Sequence, residues 1–231
     1  LYCIHGLGGH IAGFLPLAKR LREGRPVYGL QAQGLDGISP PHQRLDEMAS
    51  CYVEEIRESQ PEGPYLISGW SLGGLIAMDV AQRLHAAGAR VPLLVMYDTH
   101  LHLSRGDVPE MSHAALLLRI ASRLRIPLGQ LQALAPQQQW DWIAERAAQS
   151  AGAGVEEMRN LAETCRAHLA AMARFQPKAY TGLVTLFRTA QSRQALDPRW
   201  AEICPRLRVA QVPGNHYTML EEPHVDVLAA Q

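Results

Sequence analysis

The sequence predicts an α/β fold in which helices cover both faces of a mostly parallel sheet. Short apolar runs typical of buried strands alternate along the chain with helical segments. One strand-to-helix junction contains a Gly-x-Ser-x-Gly turn, from Gly69 to Gly73. The length of 231 residues suits a single domain of this class and is ample for a buried core. We therefore expect one domain over residues 1–231.

The predicted strands share an apolar, partly β-branched composition and are bounded by turn residues. They are Leu1–Ile4, Val27–Leu30, Pro64–Ile67, Val91–Asp98, Leu183–Phe187 and Leu207–Val212. Helices are predicted between the early strands, over Phe14–Leu21, Leu45–Ile56 and Leu75–Leu84. The second of these carries apolar residues at the i, i+3, i+4, i+7 spacing of a helix packed on a sheet.

The alternation of strands and helices stops between residues 107 and 175, where the pattern becomes helical throughout. Three apolar stripes follow one another there, separated by proline and glycine: Leu116, Leu117, Ile120 and Leu124; Trp140, Ile143 and Ala147; and Met158, Leu161, Cys165, Leu169 and Met172. We interpret this segment as a helical lid inserted into a core of residues 1–106 and 176–231, since lids exclude water and shape substrate access. Ordinary packing helices are the alternative.

Ser71 lies at the centre of the Gly-x-Ser-x-Gly turn. A serine at this position stands clear of the sheet on a strained backbone, and the two flanking glycines let the strand and the helix approach without a Cβ clash. The turn predicts that Ser71 is a nucleophile.

A glycine-rich loop, residues 5–9, follows the first predicted strand. A dinucleotide fingerprint is excluded because its third glycine would fall at Ile11. In a serine hydrolase of this layout, such a loop donates one backbone N–H to the tetrahedral oxyanion, and the residue after the nucleophile donates the other. Leu7 and Leu72 are therefore the candidate oxyanion donors. A plain tight turn is the alternative for the loop.

Asp98 and His216 are the candidate partners of Ser71. Asp98 ends a strongly apolar strand, and acids at the carboxyl ends of parallel strands point into active sites. His216 lies in a turn just after the last predicted strand, whereas His42, His85, His113, His168 and His224 are interpreted as structural or solvated histidines. The chain order Ser, Asp, His is that of α/β-hydrolases. Asp197 is an alternative acid, placed one strand later, and Asp98 has a capping role as its own alternative.

Composition excludes several classes of partner. With 22 basic and 22 acidic residues, the formal charge is +0, which gives no electrostatic footprint for nucleic acid or an anionic membrane. No apolar run approaches the roughly 20 residues that span a bilayer. The four cysteines are dispersed, so we expect free thiols, no metal site and a cytoplasmic location.

The chain begins abruptly with a strand-like run, and we therefore expect it to be a module of a longer protein.

The chain resembles a type I thioesterase domain, the releasing domain at the end of non-ribosomal peptide and polyketide synthetases. Four stretches carry the resemblance: residues 1–9, residues 63–74, residues 95–99 and residues 214–220. In that family the acid follows the strand that ends at Asp98 here. The resemblance covers almost the whole chain, with the helical insertion as its least comparable part.

The resemblance implies a substrate and a partner. The serine of this family accepts an acyl or peptidyl chain from the phosphopantetheine thiol of an upstream carrier domain, then passes it to water or to an internal nucleophile. No bound cofactor is implied, because the substrate arrives on the carrier. The alternatives are a stand-alone editing thioesterase or carboxylesterase for small acyl groups, and an inactive scaffold that only binds a carrier.

Overall fold

A computed structural model describes residues 1–21, 24, 26–101, 133–151, 154–192 and 195–231. Its centre is a six-stranded sheet in which every strand is parallel to its neighbours, in the order β2-β1-β3-β4-β5-β6. The strands are β1 (Tyr2–Ile4), β2 (Tyr28–Leu30), β3 (Leu66–Trp70), β4 (Leu93–Tyr97), β5 (Val184–Thr189) and β6 (Leu207–Val212). The predicted α/β class is confirmed.

Seven α-helices are described, together with a short 3-10 helix over Ala12–Phe14. The helices are α1 (Leu15–Leu21), α2 (Leu45–Ser59), α3 (Leu72–Ala86), α4 (Pro136–Ala151), α5 (Val155–Arg174), α6 (Trp200–Ile203) and α7 (His224–Ala229). The sequence placed Trp200 in a loop, and this was wrong: Trp200 begins α6 with its indole 2% exposed. Burial of that ring against the core fixes the short turn.

The two faces of the sheet bury separate apolar clusters. Alternate residues of a strand point to opposite faces, so Ile4 and Met96 pack under α2 and α3, whereas Cys3 and Val95 pack under α1 and α7. Helix α3, which follows Ser71, is buried along most of its length, between the sheet and α2. Such a sheet is covered on both sides, as the near-continuous apolar strands predict.

Strand β3 extends three residues beyond the predicted end at Ile67. Ser68, Gly69 and Trp70 continue the strand because β1 pairs with its residues on one side and β4 on the other. Ladder hydrogen bonds from two neighbours outweigh the poor strand propensity of glycine. The extension carries the chain directly to Ser71, which leaves the sheet.

Helices α4 and α5 lie between β4 and β5 in the chain, where the helical insertion was predicted. Helix α5 packs on α2 and contributes Ala171 and Met172 to the main core cluster. Leu7 packs against the small apolar cluster of α4 and α5 that includes Trp140 and Cys165, so the insertion reaches the glycine-rich loop. The first predicted stripe, residues 116–124, lies outside the described residues.

Two further expectations concern cysteines and membranes. All four cysteines are free thiols, and Cys3, Cys165 and Cys204 are buried. Within the described part of the chain, none of the helices combines the length and the hydrophobicity that crossing a bilayer requires.

Candidate active site

The predicted site residues meet at the carboxyl ends of the parallel strands. Ser71 follows β3 directly, Asp98 follows β4 directly, and His216 lies in the loop after β6. Leu7 lies in the loop after β1. Open parallel sheets place their ligand sites at this edge, and neighbouring strands bring residues distant in sequence close together.

Ser71 occupies a sharp turn between β3 and α3. Its φ is 57° and its ψ −118°, a conformation that side-chain-bearing residues rarely adopt. The turn is tight enough that a Cβ on Gly69 would lie 2.0 Å from the carbonyl oxygen of Gly73, and a Cβ on Gly73 would lie 2.2 Å from that of His5. Glycine is required at both flanking positions, as the motif predicted.

Hydrogen bonds tie the backbone of Ser71 to the chain around Asp98. The Ser71 N–H donates to the carbonyl oxygen of Tyr97 at 2.8 Å, and the hydroxyl of Thr99 donates to the carbonyl oxygen of Ser71 at 3.0 Å. The Asp98 N–H in turn donates to Phe187 of β5 at 2.8 Å. The sheet itself therefore fixes Ser71 and Asp98 relative to each other.

Asp98 and His216 form a hydrogen-bonded pair. His216 Nδ1 lies 2.8 Å from Asp98 Oδ2, and the Thr189 N–H donates to Oδ1 at 3.3 Å. Burial alone would raise the pKa of Asp98, but hydrogen bonds from His100 and His216 outweigh it and hold that pKa well below its usual range. The carboxylate stays ionised and the Nδ1–H of His216 points at it.

The loop that carries His216 is fixed from two sides. The side chain of Asn215 accepts hydrogen bonds from the N–H groups of Tyr217 and Thr218, which closes the turn around His216. On the other side, the indole N–H of Trp70 donates to the His216 carbonyl oxygen at 3.0 Å. Because Trp70 directly precedes Ser71, this bond joins the histidine loop to the turn that carries Ser71.

A second imidazole faces the same carboxylate. His100 Nε2 lies 3.7 Å from Asp98 Oδ2, and the rings of His100 and His216 have centroids 6.4 Å apart. Both histidine side chains are 26% exposed, whereas the side chain of Asp98 is 3% exposed. Sequence reasoning missed His100, although its position two residues after the candidate acid was a usable signal.

The peptide that would offer the Leu7 N–H is held by His5. The carbonyl of that peptide belongs to Gly6, and it accepts hydrogen bonds from His5 Nδ1 at 2.7 Å and from the Gly9 N–H at 3.0 Å. In a trans peptide the N–H points opposite to the C=O, so the Leu7 N–H points away from the His5 ring. Leu72 is the first residue of α3, and the first N–H groups of a helix lack intrahelical partners.

His168, on α5, holds the next peptide of the same loop. Its Nδ1 lies 2.7 Å from the Leu7 carbonyl oxygen, and its ring stacks on His5 with centroids 5.1 Å apart. A carbonyl oxygen only accepts, so Nδ1 of both histidines carries the proton, and the Tyr52 hydroxyl donates to His5 Nε2 at 2.6 Å. His168 is structural, as expected, but its contact with the candidate oxyanion loop was not foreseen.

Burial keeps these two imidazoles neutral. Desolvation, with His168 nearby, lowers the pKa of His5 to about 3, and desolvation lowers the pKa of His168 to about 4. Neither ring has a solvent-exposed face. Their fixed tautomers make them hydrogen-bond donors to backbone, which suits a role in holding the loop.

Asp197, the alternative acid, is engaged elsewhere. Its carboxylate binds the guanidinium of Arg199, which together with the Arg199 N–H lowers the pKa of Asp197. Among the described residues, the carboxylate that contacts His216 is that of Asp98. The geometry favours Asp98 over Asp197.

Comparison with known proteins assigns the chain to a family. The profile of the thioesterase domain family matches residues 1–230. The chain belongs to that family. A relative of this thioesterase domain is the dimodular nonribosomal peptide synthase of Bacillus subtilis (strain 168), 31% identical over 207 residues, which are 86% of this chain and 8% of the synthase. An inactive atromentin synthetase of Paxillus involutus is 40% identical over 109 residues, 46% of this chain and 11% of that protein.

Solved structures agree with this assignment. The chain is similar to part of a four-domain nonribosomal peptide synthetase, with a TM-score of 0.86 and 25% identity over 99% of this chain and 19% of that one. It is also similar to the NocB thioesterase domain from the nocardicin cluster, with a TM-score of 0.71 and 25% identity, covering 99% of this chain and 89% of that one. The predicted α/β-hydrolase fold and the resemblance to synthetase thioesterase domains are confirmed. The thioesterase domain spans only a small part of its synthetase relatives.

Proposed function

We propose that the domain releases an acyl or peptidyl chain from the phosphopantetheine thioester of a carrier domain, through an acyl-enzyme on Ser71. The observation that carries the proposal is the Asp98–His216 hydrogen bond beside the turn of Ser71, in a chain that belongs to the thioesterase domain family. The multidomain synthetase relatives support a carrier domain as the partner.

The geometry of His216 fits a general base. Since Nδ1–H donates to the ionised Asp98, the neutral ring keeps its lone pair on Nε2. That nitrogen accepts the proton of Ser71 as Oγ attacks the thioester carbonyl carbon. Asp98 orients the ring and stabilises the imidazolium that forms.

The two half-reactions use the same groups. Negative charge develops on the thioester oxygen, and the N–H groups of Leu7 and Leu72 stabilise it. As the C–S bond breaks, His216 returns the proton to the departing pantetheine sulfur, leaving the acyl chain on Ser71. Water or a nucleophile within the acyl chain then attacks the ester, and His216 again takes and returns one proton. The product is an acid or a ring.

The experiment mixes the purified domain, and a Ser71→Ala variant, with a panel of acyl-pantetheine thioesters and measures intact-protein mass. We expect an acyl adduct on the wild-type domain alone, and the mass of the released product separates hydrolysis from cyclisation. A wild-type domain that forms no adduct, turns over no thioester and resists a fluorophosphonate would contradict the proposal. That result would favour a carrier-binding scaffold, the alternative that a relative named as inactive makes worth testing.

A stand-alone editing thioesterase or carboxylesterase is distinguished by substrate preference. An editing enzyme acts on small acyl groups, whereas a releasing domain acts on the long chain that its synthetase builds. The same panel, extended from acetyl to peptidyl thioesters, separates the two by their kcat/KM values. Preference for acetyl over every peptidyl thioester would favour the editing enzyme.

A further inference from the structure

Three potential metal ligands converge on one point of the active site. The nitrogen atoms of His100 and His216 both face Oδ2 of Asp98, at 3.7 Å and 2.8 Å. All three ligand atoms lie within 4.8 Å of one another. Two imidazoles and one carboxylate form a common ligand set for Zn²⁺ sites that keep a fourth position open for water.

We propose that Asp98, His100 and His216 bind Zn²⁺ and that the bound ion reversibly inhibits the domain. This site is additional to the proposed acyl-transfer function, and nothing in the sequence motifs suggested it. His100 is essential to the proposed site, since Asp98 and His216 alone offer only two ligands. Imidazole nitrogen is a preferred ligand of zinc, which makes Zn²⁺ a better candidate than Mg²⁺ or Ca²⁺.

The surroundings suit an ion that enters from solvent. The two histidine side chains are each 26% exposed, so an ion can reach them and keep a water ligand. The carboxylate is buried, and the Thr189 N–H occupies its other oxygen, Oδ1. A hydrogen bond of this kind orients a ligating carboxylate and leaves Oδ2 for the ion.

Occupation of the site would disable His216 through its tautomer. Zn²⁺ binds a ring nitrogen through that nitrogen's lone pair, so coordination by Nδ1 displaces the proton that now points at Asp98. A neutral imidazole coordinated at Nδ1 carries its single proton on Nε2. Nε2 then has no lone pair to accept the proton of Ser71. One proton moves within the ring, no bond to substrate forms, and removal of the ion restores the base.

The test titrates the metal-free domain with ZnCl₂ while hydrolysis of an acyl-pantetheine thioester or a simple aryl ester is measured. We expect inhibition that a chelator reverses. The His100→Gln variant keeps an N–H at the Nε2 position for the Asp98 carboxylate but removes the metal ligand. Each variant is compared with its own zinc-free rate, and His100→Gln should need at least about tenfold more zinc for half-inhibition.

Two matched controls address binding elsewhere. His85→Gln removes an exposed histidine at the end of α3, and Cys51→Ser removes the partly exposed thiol; both should be inhibited like the wild type. If His100→Gln is inhibited at the wild-type zinc concentration, or if Cys51→Ser alone escapes inhibition, the proposal is wrong.

A binding measurement that needs no turnover completes the test. Co²⁺ bound to nitrogen and oxygen ligands in a low-symmetry site absorbs visible light, so CoCl₂ is added to the Ser71→Ala variant. We expect a saturable band at one ion per chain that disappears in the Ser71→Ala, His100→Gln double variant. Absence of the band overturns the metal site even when the domain is active, and its presence without zinc inhibition overturns the inhibitory role. A domain inactive toward every thioester would contradict the proposed function while leaving this readout intact.

Discussion

Two pairs of histidines lie in the candidate site, and they differ in what surrounds them. His100 and His216 share the carboxylate of Asp98 and are each about a quarter exposed. His5 and His168 stack on each other behind Leu7, buried and bonded to backbone carbonyls. One pair is next to a charge and solvent, and the other is next to neither.

The difference indicates that the surroundings of a histidine, its burial above all, determine which role its imidazole can take. A histidine that is hydrogen-bonded to an ionised carboxylate is held in one orientation and tautomer, which the proposed general base requires. The buried pair is kept neutral by desolvation, so each ring works as a fixed N–H donor. We expect a variant of His216 to lose catalytic activity. Variants of His5 or His168 should instead displace the glycine-rich loop that these rings hold.

The largest effect on kcat is expected from variants of the hydrogen-bonded residues His216 and Asp98. His216→Ala removes the general base and should lower kcat by about 10⁴-fold or more, and Asp98→Asn, which favours the wrong tautomer, by about 10⁴-fold. KM should change little, because neither side chain is needed to bind substrate. Steady-state kinetics on an acyl-pantetheine thioester measure both constants. If Asp98→Asn kept wild-type kcat, Asp98 could not be the acid.

A smaller effect is expected from the buried pair. His168→Leu leaves the partly buried Leu7 carbonyl without its donor, which should lower the free energy of unfolding by about 1–3 kcal/mol. The loosened loop should also lower kcat by up to about 100-fold, since the Leu7 N–H moves with it. Urea denaturation and thioester kinetics measure the two losses.

The matched control for this position is His168→Asn, whose amide nitrogen can take the place of Nδ1. It should recover most of the lost kcat relative to His168→Leu. Equal kcat for both variants and the wild type would show that His168 packs without positioning the loop.

The pH dependence of stability should separate the buried pair from the acid. A histidine whose folded pKa is lowered binds fewer protons in the folded state than in the unfolded state, where its pKa is near 6.5. The stability it contributes is therefore present above about pH 6.5 and falls as the pH drops toward 4 for His168 and 3 for His5. Asp98, whose pKa is also lowered, loses its contribution only below its ordinary value of 3.8.

Denaturation curves at several pH values between 4 and 7 measure this slope. The free energy of unfolding of the wild type should fall as the pH is lowered through that range. For His168→Asn it should fall less, because the variant removes one of the two titrating groups. An unchanged slope in the variant would contradict the assignment of the slope to the buried rings.

The smallest effect is expected at Asp197. Its carboxylate pairs with Arg199 in a partly exposed loop, and such pairs contribute about 0–1 kcal/mol. Asp197→Asn should leave kcat within about twofold and stability within about 1 kcal/mol of the wild type. A loss of kcat as large as that of Asp98→Asn would place the acid on the later strand.

Much of this fold could be predicted because local patterns and tertiary structure agree. The strands are apolar runs, and the Gly69-to-Gly73 turn leaves no room for a Cβ at either glycine. These features locate the ends of the strands, and Asp98 and His216 were predicted as site residues because they follow strand ends. The catalytic roles of these residues stay predictions.

The features that could not be predicted from the sequence depend on tertiary structure or on very short elements. His168 lies within hydrogen-bond distance of Leu7, 161 residues away in the chain, and no local pattern encodes how α5 packs against the loop after β1. Trp200 appeared in a loop because a four-residue helix is too short to show a period. The position of His100 two residues after Asp98 was a signal that sequence reasoning overlooked, but its distance to His216 is set only by the fold.

The backbone of Ser71 has a consequence for how such a domain would evolve. A φ of 57° with ψ of −118° costs a serine about 1–3 kcal/mol that glycine would not lose, in a fold whose total stability is of order 10 kcal/mol. Selection for stability alone would therefore replace Ser71 with glycine. Under the proposed function, selection for the chemistry of its hydroxyl opposes that change, so a lineage that ceased to need the reaction should lose this side chain early, with the rest of the sheet intact.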